Sequence, residues 1–158
     1  MTFDSHNHHH TADYVELCTK SLRDSGARVT QSRLAVIRCL DKAHEPLSPR
    51  EILEKIEAND TLPNVDQVSV YRILETLLSL GLVHQVSPSG KFTACAHIDC
   101  PISLHVLVRC LTCGKTHELD VPEGVMAPLT WYLEHQVRFI PKEHFFQIDG
   151  ACKDCSKQ

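Results

Sequence analysis

Two cysteine pairs give the clearest chemical signal in this sequence. Cys110 and Cys113 are separated by two residues, and after 38 intervening residues Cys152 and Cys155 repeat that spacing. A Cys-x-x-Cys turn presents two thiolates at the separation that a tetrahedral zinc ion requires, so two such pairs complete a closed four-ligand site. The spacing therefore predicts a structural zinc site that ties the last residues of the chain to the rest of their domain.

The same cysteines admit two other interpretations. A thioredoxin-like redox motif places one pair at the N-terminus of a helix, whereas here Cys110 is expected to end a strand and Gly114 to turn the chain. Unrelated thiols are the third possibility. A redox protein is expected to have one exposed cysteine whose thiol pKa is lowered, so thiol pKa and exposure distinguish it from a zinc site.

Composition limits the class of protein. The chain has 158 residues, of which 42% are hydrophobic and 23% charged, as in a globular protein of one domain or two small ones. It has no apolar run of membrane-spanning length and no signal peptide, so we expect a cytoplasmic location, where eight cysteines favour metal ligands or redox thiols over disulfides. The net charge of −4 means that any DNA contact requires a local basic patch. Residues 1–12, with four histidines, are expected to be disordered.

The first part of the chain predicts helices followed by a hairpin. In chain order we expect helices over residues 13–25, over residues 30–42, from the capping box of Ser48 and Glu51, and between Asp66 and Gly81. The segments LVHQV, SPSG and KFTAC then indicate a strand, a turn and a strand. This order is that of a winged helix-turn-helix domain, in which the helix before the wing enters the DNA major groove.

The second part of the chain predicts mixed structure. ISLHVLVRC alternates in hydrophobicity like a strand, KTHELDV could be its hairpin partner, and FIPKEHFFQID supplies more strand. Between them a helix runs to about Val137, with a start that Pro122 and Pro128 leave open. We therefore predict an α+β fold with a winged-helix DNA-binding domain over residues 1–95 and an α/β domain over residues 96–158.

These features together resemble the ferric uptake regulator (Fur) family. The match rests on a winged helix containing VSVYRILETLLSLGLV, followed by CLTCG and a terminal CKDC, and covers residues 17–155. The resemblance implies a metal-responsive transcription regulator that forms homodimers through its C-terminal domain and binds double-stranded operator DNA. It also implies DNA contacts by Tyr71 and Arg72 of the recognition helix and by Arg28 at the minor groove. Ser69, on the exposed face of the same helix, is a further candidate.

A second metal site must then do the sensing. The remaining candidate ligands are His44, His84, Cys95, His97, Cys100, His105, Glu118, His135 and His144. A lone histidine is more often a hydrogen-bonded polar residue than a ligand. His84 and Cys95, however, sit on the two strands of the predicted wing, where they could lie close together.

The resemblance extends to the zinc-sensing branch of the family, the zinc uptake regulators (Zur). His84, Cys95 and Glu118 match three ligand positions of that branch. The iron-sensing branch usually has a carboxylate where Cys95 stands. A thiolate is a softer ligand and shifts preference from Fe(II) toward zinc.

The remaining ligand of this set stays open between two histidines. Ser103 stands where some zinc sensors have their ligand, and His105 is the single histidine of PISLHVLVRC, where the family often has several. We assign His105 to the regulatory site with His84, Cys95 and Glu118. His97, Cys100 and His144 are kept as possible ligands.

The leading hypothesis is a repressor that uses zinc as corepressor and controls metal-uptake genes. One alternative is an iron- or peroxide-responsive regulator of the same family, and another is a thiol redox protein that uses the cysteine pairs. Zinc is the expected cofactor at both the structural and the regulatory site. Operator DNA and a second copy of the chain are the expected partners, without a membrane or a small-molecule substrate. No catalytic triad order, phosphate-binding glycine loop or paired acid motif suggests an enzyme.

Overall fold

A computed structural model describes residues 13–59, 63–95, 105–119, 121–140 and 145–156, without the side chains of His105 and Phe145. The predictions for residues 1–12 and for His97, Cys100, Ser103 and His144 lie outside the described residues. The described residues fall into two compact units, one within residues 4–99 and the other within residues 100–158.

Four helices form most of the N-terminal unit: α1 (Tyr14–Asp24), α2 (Gln31–Asp41), α3 (Pro49–Glu57) and α4 (Gln67–Ser79). Each begins after a residue whose side chain accepts a hydrogen bond from an N–H of the first turn, namely Asp13, Thr30, Ser48 and Asp66. The predicted capping box of Ser48 and Glu51 is formed, with Pro49 at the first helical position. The local start signals therefore set these helix boundaries.

A two-stranded wing follows the fourth helix. Strand β1 (Val83–Val86) pairs antiparallel with β2 (Lys91–Ala94). Leu47 joins the hairpin from the connection between α2 and α3, because it exchanges two backbone hydrogen bonds with Phe92, of 2.9 and 2.7 Å. The helices and wing give the predicted winged helix-turn-helix arrangement.

One hydrophobic core runs through this unit. Its fully buried members come from every helix and from the start of the wing, and include Leu22, Ile37, Ile52, Leu74 and Leu82. Helix α4 turns its buried stripe inward and leaves the opposite face to solvent. Removing these apolar side chains from water is the main force that holds the recognition helix in place.

The C-terminal unit is a small mixed sheet with one long helix. It contains β3 (His105–Cys110), β4 (Thr116–Leu119), α5 (Glu123–Tyr132) with a π-helical continuation (Leu133–Val137), and β5 (Phe145–Gly150). The strand order is β4-β3-β5, with β3 antiparallel to β4 and parallel to β5. A parallel neighbour requires a crossover connection, which α5 supplies. The predicted α+β fold class is confirmed.

Glu51 ties helix α3 to the wing. Its carboxylate accepts the Ser48 N–H at 2.7 Å and the Lys91 ammonium group at 2.9 Å. These interactions, the backbone N–H first, lower the pKa of Glu51 from 4.5 to about 2. A carboxyl whose pKa is lowered on folding stabilises the folded state above its unfolded pKa, and this stabilisation is lost as pH falls toward the folded value.

We therefore expect Glu51→Ala to lower the free energy of unfolding by about 1 kcal/mol at neutral pH, because a capping bond and a half-exposed ion pair are removed. The matched control is Glu54→Ala, which removes only an exposed pair with Arg50 and should cost no more than about 0.5 kcal/mol. Urea unfolding followed by far-UV circular dichroism measures both. The difference in the free energy of unfolding between wild type and Glu51→Ala should decrease as pH falls from 4.5 toward about 2. Equal losses of stability in the two variants would contradict this role.

Candidate metal centres and nucleic-acid interface

The four cysteines of the two pairs lie together in the C-terminal unit. Their Sγ atoms are all within 4.8 Å of one another, and those of Cys113 and Cys152 are 3.9 Å apart. Four sulfurs around a tetrahedral zinc ion, with Zn–S bonds of about 2.3 Å, stand about 3.8 Å from one another. The cluster therefore has the ligand type and spacing of a closed four-thiolate site. Cys113 is exposed, so a metal ion can reach the cluster from the surface.

The parallel pairing of β3 with β5 brings the two pairs together. Its register places Cys110 opposite Gly150, two residues before Cys152. The Leu111 N–H donates to the Gly150 carbonyl at 2.7 Å and carries the pairing into the cysteine turn. The Gly114 N–H then donates to the Cys110 carbonyl at 2.9 Å, and Gly114 has a φ of +76°, a conformation that favours glycine.

An ion pair fixes the same two strand ends. The guanidinium group of Arg109 donates to both carboxylate oxygens of Asp149, from Nε at 3.0 Å and from Nη2 at 2.5 Å. The amide of Gln147 donates to the same carboxylate at 2.8 Å. Such bidentate contacts between arginine and a carboxylate fix the relative geometry of the two side chains and add interaction energy. Arg109 directly precedes Cys110, so the pair holds the strands in register immediately before both cysteine turns.

The cluster is electrostatically suited to a cation. Backbone N–H groups of Cys113 and Cys152 lower the pKa of the Cys110 thiol to about 5. Hydrogen bonds that the Cys155 thiol donates to neighbouring sulfurs, that of Cys152 first, together with burial raise the pKa of Cys155 to about 12. Neighbouring thiolates repel one another, so a divalent ion is needed to bind all four in the ionised form. The thiol with the lowered pKa is buried and no helix begins at either pair in the described part of the chain, which argues against a redox motif.

His84 and Cys95 lie together in the N-terminal unit. A ring nitrogen of His84 is within 4.8 Å of the Cys95 Sγ, and the two residues are 4% and 2% exposed. The wing pairing explains this approach: Val83 pairs with Ala94, and the Cys95 N–H continues the ladder by donating to the Leu82 carbonyl at 3.1 Å. His84 and Cys95 are thus diagonal neighbours on one face. A buried imidazole beside a buried thiol is a donor pair that suits zinc.

The other predicted ligands have less defined places. His105 is the first residue of β3 and Glu118 lies in β4, half-buried, and both belong to the C-terminal unit. His44 and His135 are exposed, and neither belongs to a group of potential ligands among the described residues. His97, Cys100 and His144 lie outside the described residues, so their ligand roles stay predictions.

Helix α4 presents an exposed face near its start. Tyr71 is 48% and Val68 58% exposed, and Arg72 is exposed beside them. The Ser69 hydroxyl donates to the Asp66 carboxylate at 2.6 Å and its N–H donates to the same group at 2.9 Å, while its DNA contact stays a prediction. Ser69 therefore stabilises the start of the helix, while the neighbouring tyrosine and arginine remain accessible to a ligand.

Arg28 supplies positive charge on the connection between α1 and α2. It is exposed, and its carbonyl accepts a hydrogen bond from the guanidinium group of Arg33. On a chain of net charge −4, such local groups are the means of attracting phosphates. No helix among the described residues is long and apolar enough to cross a membrane.

The chain matches the model of the Ferric uptake regulator family over residues 24–139, which is more than half of its length and spans parts of both units. The chain belongs to the ferric uptake regulator family. Members of this family are DNA-binding transcription regulators, which confirms the predicted family and the prediction that the chain is not an enzyme. The family's dependence on metal also agrees with the two groups of potential ligands.

Similar proteins come from more than one branch of the ferric uptake regulator family. The peroxide-responsive repressor PerR of Staphylococcus saprophyticus is 27% identical over 135 residues, 85% of this chain and 86% of that protein. A zinc uptake regulator solved in complex with zinc and DNA is 25% identical, with a TM-score of 0.72 over 92% of this chain and 97% of that one. Holo XcZur, 24% identical with a TM-score of 0.73 over 92% of this chain and 98% of that one, supports the fold alone.

Two positioning interactions in this family member were missing from the sequence predictions. One is the ion pair of Arg109 with Asp149, and the other is a hydrogen bond of 2.7 Å from the Tyr14 hydroxyl to the Leu82 carbonyl. The signal for the second was present, because Tyr14 shares a helical stripe with Cys18 and a buried tyrosine hydroxyl needs an acceptor. The first pair depends on a strand register that hydrophobic periodicity does not reveal.

Serine substitutions in the cysteine cluster test the first site. In purified full-length protein, Cys113→Ser and Cys152→Ser should each lose about one zinc ion per chain and lower the melting temperature, because a neutral hydroxyl is a poor replacement for a thiolate. Cys39→Ser is the control, since Cys39 is a half-buried residue of α2 outside the cluster. Elemental analysis and thermal denaturation give the two readouts. Full zinc content and an unchanged melting temperature in both cluster variants would rule out the assignment.

Proposed function

We propose that this protein is a zinc-responsive transcriptional repressor that binds operator DNA as a homodimer and controls metal-uptake genes. The observation that carries the proposal is the buried pair of His84 and Cys95 in the wing of the DNA-binding unit. A thiolate beside an imidazole favours zinc over Fe(II), which prefers harder ligands. Because such a repressor must reach DNA, the proposal includes a cytoplasmic location.

The proposed regulatory ligands are His84, Cys95, His105 and Glu118. The first two are supported by their proximity and burial. The last two rest on their positions in the sequence relative to the wing and to Cys113. The cysteine cluster is proposed as a separate structural zinc site, whose four sulfurs leave no position open for a substrate or a sensing ligand.

The proposed DNA contact is made by Tyr71 and Arg72 of helix α4 and by Arg28. Their exposure supports it, since a helix face that carries an aromatic ring and a guanidinium group suits base edges and phosphates. The zinc uptake regulator bound to zinc and DNA, at 25% identity and over 92% of this chain, adds support. Ser69, which also orders the helix start through Asp66, is kept as a further candidate for this contact.

The C-terminal unit supports the homodimer. Strand β5 lies at the edge of the sheet β4-β3-β5, and Ile148 on it is 55% exposed. Helix α5 and the segment after it expose further large apolar side chains, namely Val125, Leu129, Trp131, Tyr132, Val137, Phe139 and Ile140. A monomer seldom leaves so much apolar surface in water, and an open strand edge is a template for pairing with a second copy.

Zinc acts in this proposal by binding the DNA-competent conformation more tightly than the others. A tenfold preference shifts the equilibrium by about 1.4 kcal/mol. By linkage, operator DNA must tighten zinc binding by the same factor. Because the binding forms are the thiolate and the neutral imidazole, the response should weaken as pH falls.

An iron- or peroxide-responsive regulator is the second candidate. The PerR relative, 27% identical over 85% of this chain, favours it. That function does not require a thiol at position 95, whereas zinc sensing through this pair does. Metal selectivity with and without the Cys95 thiol therefore separates the two.

Cys95→Ser should retain the zinc of the cysteine cluster and the dimer but lose zinc-dependent DNA binding. The assay is binding to a duplex that the zinc-loaded wild type selects from random-sequence DNA, at saturating and at buffered low zinc. Cys39→Ser controls for the removal of a thiol elsewhere in the same unit. A zinc response identical to that of wild type would place the sensing site elsewhere, and a response retained for Fe(II) but not for zinc would favour the second candidate.

The DNA interface has its own test. Arg72→Ala should weaken binding to the selected duplex by about 1–3 kcal/mol, and Arg28→Ala should reduce the log–log slope of affinity against salt by about 0.9 for each phosphate that the arginine no longer neutralises. Arg50→Ala is the control, because Arg50 is a highly exposed residue of α3 that pairs with Glu54. If both interface variants bind with wild-type affinity and salt dependence, the recognition helix has been misassigned.

A further inference from the structure

A single backbone carbonyl links the first helix to the proposed sensing pair. The Leu82 carbonyl accepts the Tyr14 hydroxyl at 2.7 Å and also the Cys95 N–H at 3.1 Å. Tyr14 is 1% exposed and stands 68 positions before its acceptor in the chain. The contact is therefore a tertiary connection between distant elements rather than a local turn.

The carbonyl occupies a junction between the recognition helix and the wing. The Leu82 N–H donates to the Leu77 carbonyl at 2.9 Å, which caps the end of α4. His84 follows Leu82 by two residues in β1. Leu82 thus contacts the end of the recognition helix through its N–H and the backbone of Cys95 through its carbonyl.

The hydroxyl of Tyr14 is held as a donor. Burial raises its pKa well above 10.0, so the phenol stays protonated at any physiological pH. The hydroxyl donates its proton to the Leu82 carbonyl, and this hydrogen bond orients the ring.

We propose that Tyr14 is a positioning residue for the regulatory metal ligands, a role that rests on the proposed function of His84 and Cys95. A phenylalanine ring would fill the same apolar space, so packing alone does not require the hydroxyl. By fixing the Leu82 carbonyl, the hydroxyl holds the wing strands in the register that keeps the Cys95 thiol beside the His84 ring. Outer hydrogen bonds of this kind orient ligands for a metal ion before it binds.

The test is Tyr14→Phe in the full-length protein with the cysteine cluster loaded with zinc. Competition with a chromophoric chelator should show zinc binding at the regulatory site weakened about tenfold. Cobalt(II) titration of the same protein gives a second readout, because the thiolate-to-cobalt absorption band reports Cys95 directly and should be weaker or shifted. The zinc content of the cysteine cluster should stay at the wild-type level.

Thr19→Val is the matched control, because its hydroxyl donates to the Val15 carbonyl at 2.7 Å within the same helix. Wild-type zinc affinity and cobalt spectrum in Tyr14→Phe would overturn the inference, as would an equal weakening in Thr19→Val, which would indicate helix stability alone. Cys95→Ser, measured in parallel, distinguishes a failure of the proposed function from a failure of the role of Tyr14. A wild-type zinc response in Cys95→Ser overturns both. A weakened response in Cys95→Ser with a wild-type one in Tyr14→Phe overturns only the role of Tyr14.

Discussion

The closeness of four cysteine sulfurs, all within 4.8 Å of one another, is the constraint on which the C-terminal unit depends, because four thiolates at this distance repel one another unless a cation binds them. Among its described residues only Val106, Leu107 and Cys110 are buried apolar side chains, so the described part of the unit has a small core. Structural zinc contributes on the order of 10 kcal/mol to folding, which is more than such a core supplies. The pairing of β3 with β5 and the ion pair of Arg109 with Asp149 then hold the cysteine turns where one cation can bind them all.

The N-terminal unit is held together by its apolar core and not by a metal site. Its helices and wing enclose a continuous apolar core, and two of the proposed sensing ligands, His84 and Cys95, are set into the wing in addition to that core. A site that is dispensable for folding can load and unload its metal while the domain stays intact. In the proposed function, zinc therefore has two roles, as a permanent structural part in one unit and as a reversible signal through the other.

Features that depend on local chemistry could be predicted from the sequence. The capping box of Ser48 and Glu51 and the repeated cysteine spacing each work over a few residues, and the wing hairpin brings His84 close to Cys95 in the register that it adopts. The ion pair of Arg109 with Asp149 spans 40 positions and exists only in one parallel register. The hydrogen bond from Tyr14 to Leu82 could not be predicted either, because it spans 68 positions and forms only when the packed core brings helix and wing together.

Two points within helices depended on the structure. The start of α5, which the sequence leaves open between Pro122 and Pro128, lies directly after Pro122, so Pro128 lies inside the helix. Ser69 is predicted as a DNA contact from its helical phase, and its hydroxyl also donates to the Asp66 carboxylate three residues earlier. Helical phase gives the direction of a side chain and does not give its hydrogen-bond partner.

In the proposed function, zinc bound outside the cysteine cluster raises the affinity for operator DNA. The most direct test of this effect measures DNA affinity of the wild-type protein across buffered free zinc, and zinc affinity at the second site with and without the duplex. Linkage requires the two factors to be equal. We expect zinc to strengthen DNA binding and the duplex to strengthen zinc binding by that same factor. DNA affinity that stays constant while the second zinc site fills would contradict the account.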